Sequence, residues 1–210
     1  MTEKDYTQQA RQAALEHGAD LVGVVKVDDL PEHRERIERM LPNARSVLVI
    51  ASGHSLASLR SGANELAQFD TIHAYNESAR ACHAAARILE SRGFLSAGVP
   101  AFIPLDMEEP GKGMRGEICW RRAGVRAGLG SYGESGALVT REYGQAVRLA
   151  GMVTTADLAA DAPRSKKTFA IIVCAAWRPA RSAPCPATGK STKSFAGIGF
   201  SDSASGIFKK

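Results

Sequence analysis

Seven residues, Ala127-Gly-Leu-Gly-Ser-Tyr-Gly133, hold a complete Gly-x-Gly-x-x-Gly pattern at Gly128, Gly130 and Gly133. Such a pattern binds a dinucleotide only when it follows a strand and opens a helix, because the helix N-terminus receives the pyrophosphate. The flanks here run the other way. Residues 117–127 have helix-forming composition, whereas Gly136 to Thr140 and Ala146 to Thr155 predict two strands of a hairpin around a turn at 141–145. A helix, a glycine loop and a β-hairpin do not build a Rossmann unit.

The remaining pattern is mixed. Tyr6, Ala10, Ala13 and Ala14 recur at helical spacing over residues 5–17, and Gly18 follows as a stop. Residues 19–26 are rich in β-branched side chains and predict a strand. Pro31 to Leu41 predicts a short charged helix, with Pro31 suited to the first turn. Ser46 to Ala51 is a continuous apolar run, as a strand buried on both faces requires. Tyr75, Ala79, Cys82, Ala86 and Leu89 predict a helix over 74–92, ended by Gly93. Leu95 to Pro104 is extended and confined by its prolines to an edge or short strand, and 106–115 reads as a polar loop. The order implies an α+β, three-layer domain in which helices pack on a mixed, partly antiparallel sheet.

Composition narrows the function classes. The 210 residues suffice for one domain with a full core. The formal charge of +5 is concentrated in the tail: residues 161–210 carry 9 Lys or Arg against 2 Asp, and the first 160 carry 18 basic and 20 acidic residues. The body therefore makes no general case for a nucleic-acid surface, and the tail charge is expected to be solvated. No apolar run reaches the roughly 18 residues of a membrane span, and Met1 to Tyr6 is no secretory signal, so a cytoplasmic location is expected. The four cysteines do not form a disulfide framework; Cys82, and by the same reasoning Cys119, are expected in core packing. The histidines lack metal-ligand spacing, although His54, just past a buried strand, is placed to face a cleft.

Residues 122–158 carry a more specific signal. They hold Ala127-Gly-Leu-Gly130, Gly133, the Ala-Leu-Val run 137–139, the Tyr143-Gly144 turn and a strand ending near Ala156-Asp157. This stretch resembles the epoxyqueuosine reductase family and its reductive-dehalogenase relatives. Gly18 to Gly23, Tyr75-Asn76 and Gly93-Phe94 fit the same order, extending the resemblance over about residues 10–160. The resemblance implies a nitroreductase-like domain that binds cobalamin, fed with electrons by a ferredoxin-like segment with [4Fe–4S] clusters. On that reading Gly128, Gly130, Gly133 and Gly144 let backbone approach the macrocycle, and Tyr132, Ser135 and Tyr143 contact its amide side chains. The alternative is that the glycines only shape a tight turn between helix and strand.

Two departures bear on catalysis. The resemblance calls for a carboxylate ahead of the 117–127 helix as proton donor. An ungapped count reaches Met114; Asp106, in Ile103-Pro-Leu-Asp106, matches the motif better and is the candidate acid, with Glu117 the other nearby carboxylate. It also calls for Cys-x2-Cys-x2-Cys-x3-Cys-Pro, since a cubane needs four thiolates. Only Cys174 and Cys185, with Pro186, match that pattern. The chain is therefore expected to comprise a corrinoid-binding domain over 1–160 and a degenerate, truncated or frame-shifted ferredoxin remnant with a disordered basic tail over 161–210. An electron-donor protein would be its partner. A non-catalytic corrinoid, flavin or nucleotide binding module is the alternative. The residues specify neither tRNA nor a small molecule as substrate, nor an oligomeric state.

Overall fold

In a computed structural model, which describes residues 2–99 and 116–163, the chain opens with helix α1, Glu3–Glu16. Thr2 begins it through a reciprocal cap: its backbone N–H donates to the Asp5 carboxylate at 2.7 Å, and its hydroxyl accepts from the Asp5 N–H. Gly18, at φ +110°, turns the chain out of the helix as expected. Strand β1, Leu21–Lys26, follows. Pro31–His33 forms a 3-10 turn, leading into helix α2, Arg34–Met40. The proline thus starts a tighter turn than the single helix expected there.

Strand β2, Ser46–Gly53, is buried up to Ser52, as its unbroken apolar run requires. Then come the short helix α3, Leu56–Arg60, the long helix α4, Asn64–Glu90, and strand β3, Ser96–Val99. Helix α4 begins ten residues before the predicted start. Its buried residues lie between Ala74 and Leu89, so the apolar periodicity marks only the part that packs. Helix α5, Trp120–Arg126, strands β4, Gly130–Tyr132, and β5, Leu138–Thr140, and strand β6, Val147–Thr154, complete the described chain.

The main sheet has the order β1-β2-β6-β3, and each of its pairings is antiparallel. The expected mixed sheet therefore has no parallel component among the described strands. A second correction concerns the hairpin. Strand β5 pairs with β4, inside the glycine motif, while β6 departs to lie between β2 and β3. Residues 140–144 close on themselves, with Thr140 N–H donating to Gly144 O at 2.8 Å and Gly144 N–H returning to Thr140 O at 3.2 Å. That small loop frees β6 for a central place, where both its faces are covered.

Alternation along the central strands builds two cores. Val47, Val49 and Ala51 join Val25, Val153, Trp120 and Ala123 on one face. Leu48 and Ile50 join Val24, Met152, Ala81 and Leu89 on the other, beneath α1 and α4. Burying each such aliphatic side chain contributes about 1.5–3 kcal/mol. The sheet is thus sandwiched between α1 and α4 on one side and α2, α5 and the β4–β5 ribbon on the other. Gly151 permits a close contact: a Cβ there would lie 2.6 Å from Trp120 Cη2, so only glycine lets the indole rest on β6.

The expected strand beyond residue 99, the 106–115 loop, Asp106, Met114, Cys174, Cys185 and the tail lie outside the described residues.

Candidate functional site

An open cleft of about 990 Å³ runs beside α5 and the β4–β5 ribbon. His33 and Arg36 enter it from the segment around α2, Tyr75 from α4, Trp120, Arg121 and Arg122 from α5, Tyr132 from β4, and Arg148 from β6. Among the described residues, four arginines thus face it against one carboxylate, that of Glu32. Burial alone would raise the Glu32 carboxyl, but its own backbone N–H, with Arg126, His33 and Arg122, holds it below the ordinary range. It is already engaged by Arg122 at 3.6 Å and Arg126 at 3.5 Å.

Arg148, the second residue of β6, is received by Tyr75. Its guanidinium carbon lies 4.4 Å from the Tyr75 ring centroid, and Nη1 donates to the phenol oxygen at 3.3 Å. Its Nε is buried and has no acceptor among the described residues. His33, only 7% exposed, accepts the Cys119 N–H on Nε2 at 3.3 Å, which assigns the ring proton to Nδ1. That Nδ1 is likewise buried without a partner. Burial lowers the His33 pKa, reinforced by Arg36, Arg122 and Arg126 against the opposing charge of Glu32, and so favours the neutral ring. Each unpaired buried donor costs about 1–3 kcal/mol. Among the described residues, the two buried side-chain polar atoms without partners both belong to residues lining this cleft. Burial, with Cys119, pushes the Tyr132 phenol up against the opposing pull of Arg122 and Arg121.

The sequence-predicted cofactor residues are dispersed. Tyr132 lines the cleft, and Ser135 accepts a hydrogen bond at 3.2 Å from Gln145, which also lines it. Gly128 faces protein: a Cβ there would meet Ala162 O at 2.6 Å. Gly130 lies against the Val139 carbonyl, and Gly133 would meet Val139 Cγ2 at 2.9 Å. These three glycines therefore admit the chain's own backbone and side chains, while Gly144, at φ +59°, shapes the turn after β5. Glu117 is held by Arg39 at 3.2 Å and does not line the cleft.

Tyr143 belongs to a second pocket of about 430 Å³, with Asp20, His54 and Asp70. Its hydroxyl donates to Asp20 at 3.0 Å, and that bond pushes the phenol pKa up. His54 faces this pocket, with Nδ1 bonded to Asp70 at 2.6 Å. Burial would raise the Asp70 carboxyl, yet the Ser55 N–H and His54 bring it below its ordinary value.

Cys82 is buried, and burial pushes its thiol up to about 12. Cys119 is instead half-buried at the cleft, at the N-terminal boundary of α5, unlike the core role expected of it. Among the described residues no group of three His, Cys, Asp or Glu side chains is arranged to hold a metal ion, and no helix is long and apolar enough to cross a membrane.

Sequence reasoning missed His33, Arg36, Trp120 and Arg148. One signal was available for Arg148: a charged residue at an inward-looking position of an otherwise apolar strand, which a buried strand tolerates only for a reason.

The described chain is thus an antiparallel α+β sandwich with a basic, aromatic-lined cleft beside its smaller ribbon. No family model matches the sequence, and no curated protein matches it. Solved structures do. The catabolic reductive dehalogenase NpRdhA, in a variant form, is similar at 21% identity over 79% of this chain and 21% of its own, with a TM-score of 0.57. A reductive dehalogenase whose structure suggests a mechanism for B12-dependent dehalogenation matches at 22% identity over 79% of this chain and 22% of that one, with a TM-score of 0.54. Epoxyqueuosine reductase from Bacillus subtilis matches at 17% identity over 79% of this chain and 49% of that one, with a TM-score of 0.50. The chain shares the fold of part of these proteins, about half the length of the epoxyqueuosine reductase and about a fifth of the dehalogenases.

Proposed function

We propose that residues 1–160 form a corrinoid-binding, epoxyqueuosine reductase-like domain of an oxidoreductase, with residues 161–210 a ferredoxin-segment remnant that does not complete the electron path. The observation that carries this reading is the cleft: large, open, edged by Tyr75, Trp120 and Tyr132, and lined by four arginines. A volume of about 990 Å³ lies at the top of the range for small-molecule sites, as a ligand larger than a nucleotide base requires. Aromatic faces suit the rim of a flat macrocycle, and the arginine and histidine donors suit its amide carbonyls. A bound corrinoid supplies reductive chemistry at cobalt. Fold likeness to a B12-dependent dehalogenase supports the same assignment.

The protein's part is to bind, orient and exclude water. Tyr75 holds the Arg148 guanidinium in place, and Gly151 lets Trp120 form a rigid wall against the sheet. Asp106 is the proposed proton donor to substrate. An iron–sulfur cluster does not fit. The chain has four cysteines, and Cys82 is sealed in the core with its thiol pushed up to about 12, so four thiolates cannot converge on one cubane. On this reading electrons reach the domain from outside residues 1–210, and a donor protein is the proposed source.

Adding cob(II)alamin and FMN separately to the purified chain and recording visible spectra tests the reading. A saturable change with cob(II)alamin and none with FMN is expected. A change with FMN alone would favour a flavin module, and no change with either would remove the corrinoid assignment.

A further inference from the structure

Among the described strands, β1 ends the main sheet, and what covers its outer side is not another strand. Pairing with β2 alternates along β1, so the backbone groups of Val22, Val24 and Lys26 point away from the sheet. The cover comes from residues 155–163, which follow β6. Leu158, fully buried, anchors them through its N–H on Ser46 Oγ at 2.9 Å, and the Ala159 N–H donates to Thr7 Oγ1 at 2.7 Å. Asp161 then meets the edge twice. Its N–H donates to Val24 O at 2.9 Å, and its carboxylate accepts the Val24 N–H at 2.8 Å. Arg11, from α1, pairs with the same carboxylate and donates to Val22 O at 2.8 Å.

A bare strand edge is a template for another strand, and proteins guard such edges with charged side chains or a covering loop. Strand β1 would be a strong template, because Leu21-Val-Gly-Val-Val-Lys26 is rich in β-branched residues and holds no proline. A partner strand would exchange both backbone bonds at every outward residue, more than Asp161 and Arg11 provide. We propose that the β1 edge is a docking surface for β1 of a second copy of this chain, paired antiparallel across a two-fold axis, and that Asp161 with Arg11 holds it shut. Charge supports that occupant. With Val24 opposite Val24 of the second copy, each Lys26 faces a Val22, so no like charges meet. The contact also closes on itself, since each chain spends the one edge that it offers. Opening it requires residues 159–163 to lift while Leu158 stays in the core. The inference is independent of what the cleft binds.

The test compares the full chain with Asp161→Ala by analytical ultracentrifugation and by amide hydrogen exchange read by NMR, each at low and high protein concentration. In the wild type, exchange at the Val22, Val24 and Lys26 amides is expected to be independent of concentration. In Asp161→Ala the Val24 amide should exchange about tenfold faster in dilute solution. On concentration all three amides should slow as the particle mass doubles relative to wild type. The inward amides of Gly23 and Val25 stay protected throughout if the sheet is intact. Arg11→Gln leaves the Asp161 carboxylate on Val24, so it is the milder variant should Asp161→Ala not fold, and a weaker association is expected of it. Adding Val22→Pro to Asp161→Ala removes an outward N–H that β2 does not use, and should weaken association about tenfold or more. The proposal is overturned if the folded variants show the wild-type mass at every concentration, or if they associate while the outward amides stay unchanged. Growth beyond a doubled mass, association indifferent to Val22→Pro, or equal pairing through β1 in the wild type would overturn it too.

Discussion

Lys26 bridges the start and the end of the described chain. It pairs with Glu3 at 2.9 Å and with Asp157, which also receives Arg45 at 2.6 Å. Hydrogen bonding from Lys26 lowers the Asp157 pKa from its usual 3.8 against the opposing effect of burial. Burial would lower the Lys26 pKa, but Asp157 and Glu3 raise it above 10.5. The Asp157 contribution is complete above the unfolded carboxylate pKa of 3.8 and drains as pH falls through the lower folded value. The Lys26 contribution is complete below 10.5 and drains as pH rises through the higher one. Both side chains are partly exposed, which limits the pair to about 1 kcal/mol. Asp157→Asn should therefore lower stability at neutral pH by up to about that amount and converge with wild type in strong acid, as urea melts at several pH values would show. An equal deficit at all pH values would mean that packing, not charge, is lost. At this scale the sequence was readable for Cys82 and Gly18, whose roles follow from local spacing. It was unreadable for Arg148 and His33, whose meaning depends on partners contributed by distant elements.

Helix α4 shows the same division at the scale of an element. Its second part packs through Ala74, Ala81, Ala85 and Leu89, while Leu66, Phe69 and Ile72 on its first turns are exposed. What ties those turns down is Asp70, which accepts from Ser55 N–H at 2.9 Å and from His54 at 2.6 Å. Asp70→Asn should leave 74–90 protected and raise amide hydrogen exchange over 64–73 about tenfold, read by mass spectrometry. Unchanged exchange at 64–73 would show that the helix holds itself there. The helix was legible from its apolar period only where that period is buried. The β5–β6 hairpin was misread for a related reason: two strand-like runs across a short turn usually pair, but β6 is buried on both faces and finds its partners in β2 and β3. The small loop at 140–144 lets it leave.

On the scale of the molecule, the glycine motif is structural on its own account. Gly128 packs against Ala162, and Gly130 and Gly133, by letting the β4–β5 ribbon fold tightly, set one side of the cleft. Fold class and helix order were therefore legible, whereas the site was only partly so. Of the residues that line the cleft, Tyr132 was found through the motif; the basic wall comes from α2, α5 and β6, which no single stretch of sequence brings together. On the function proposed above, this cleft is where a corrinoid sits. Its most direct test is a cob(II)alamin binding isotherm for wild type and for Ala137→Trp, which fills the cleft from a half-buried lining position. Saturable one-to-one binding to wild type and at least a tenfold loss in a variant that melts normally are expected. Equal binding by both proteins, or none by wild type, would contradict it.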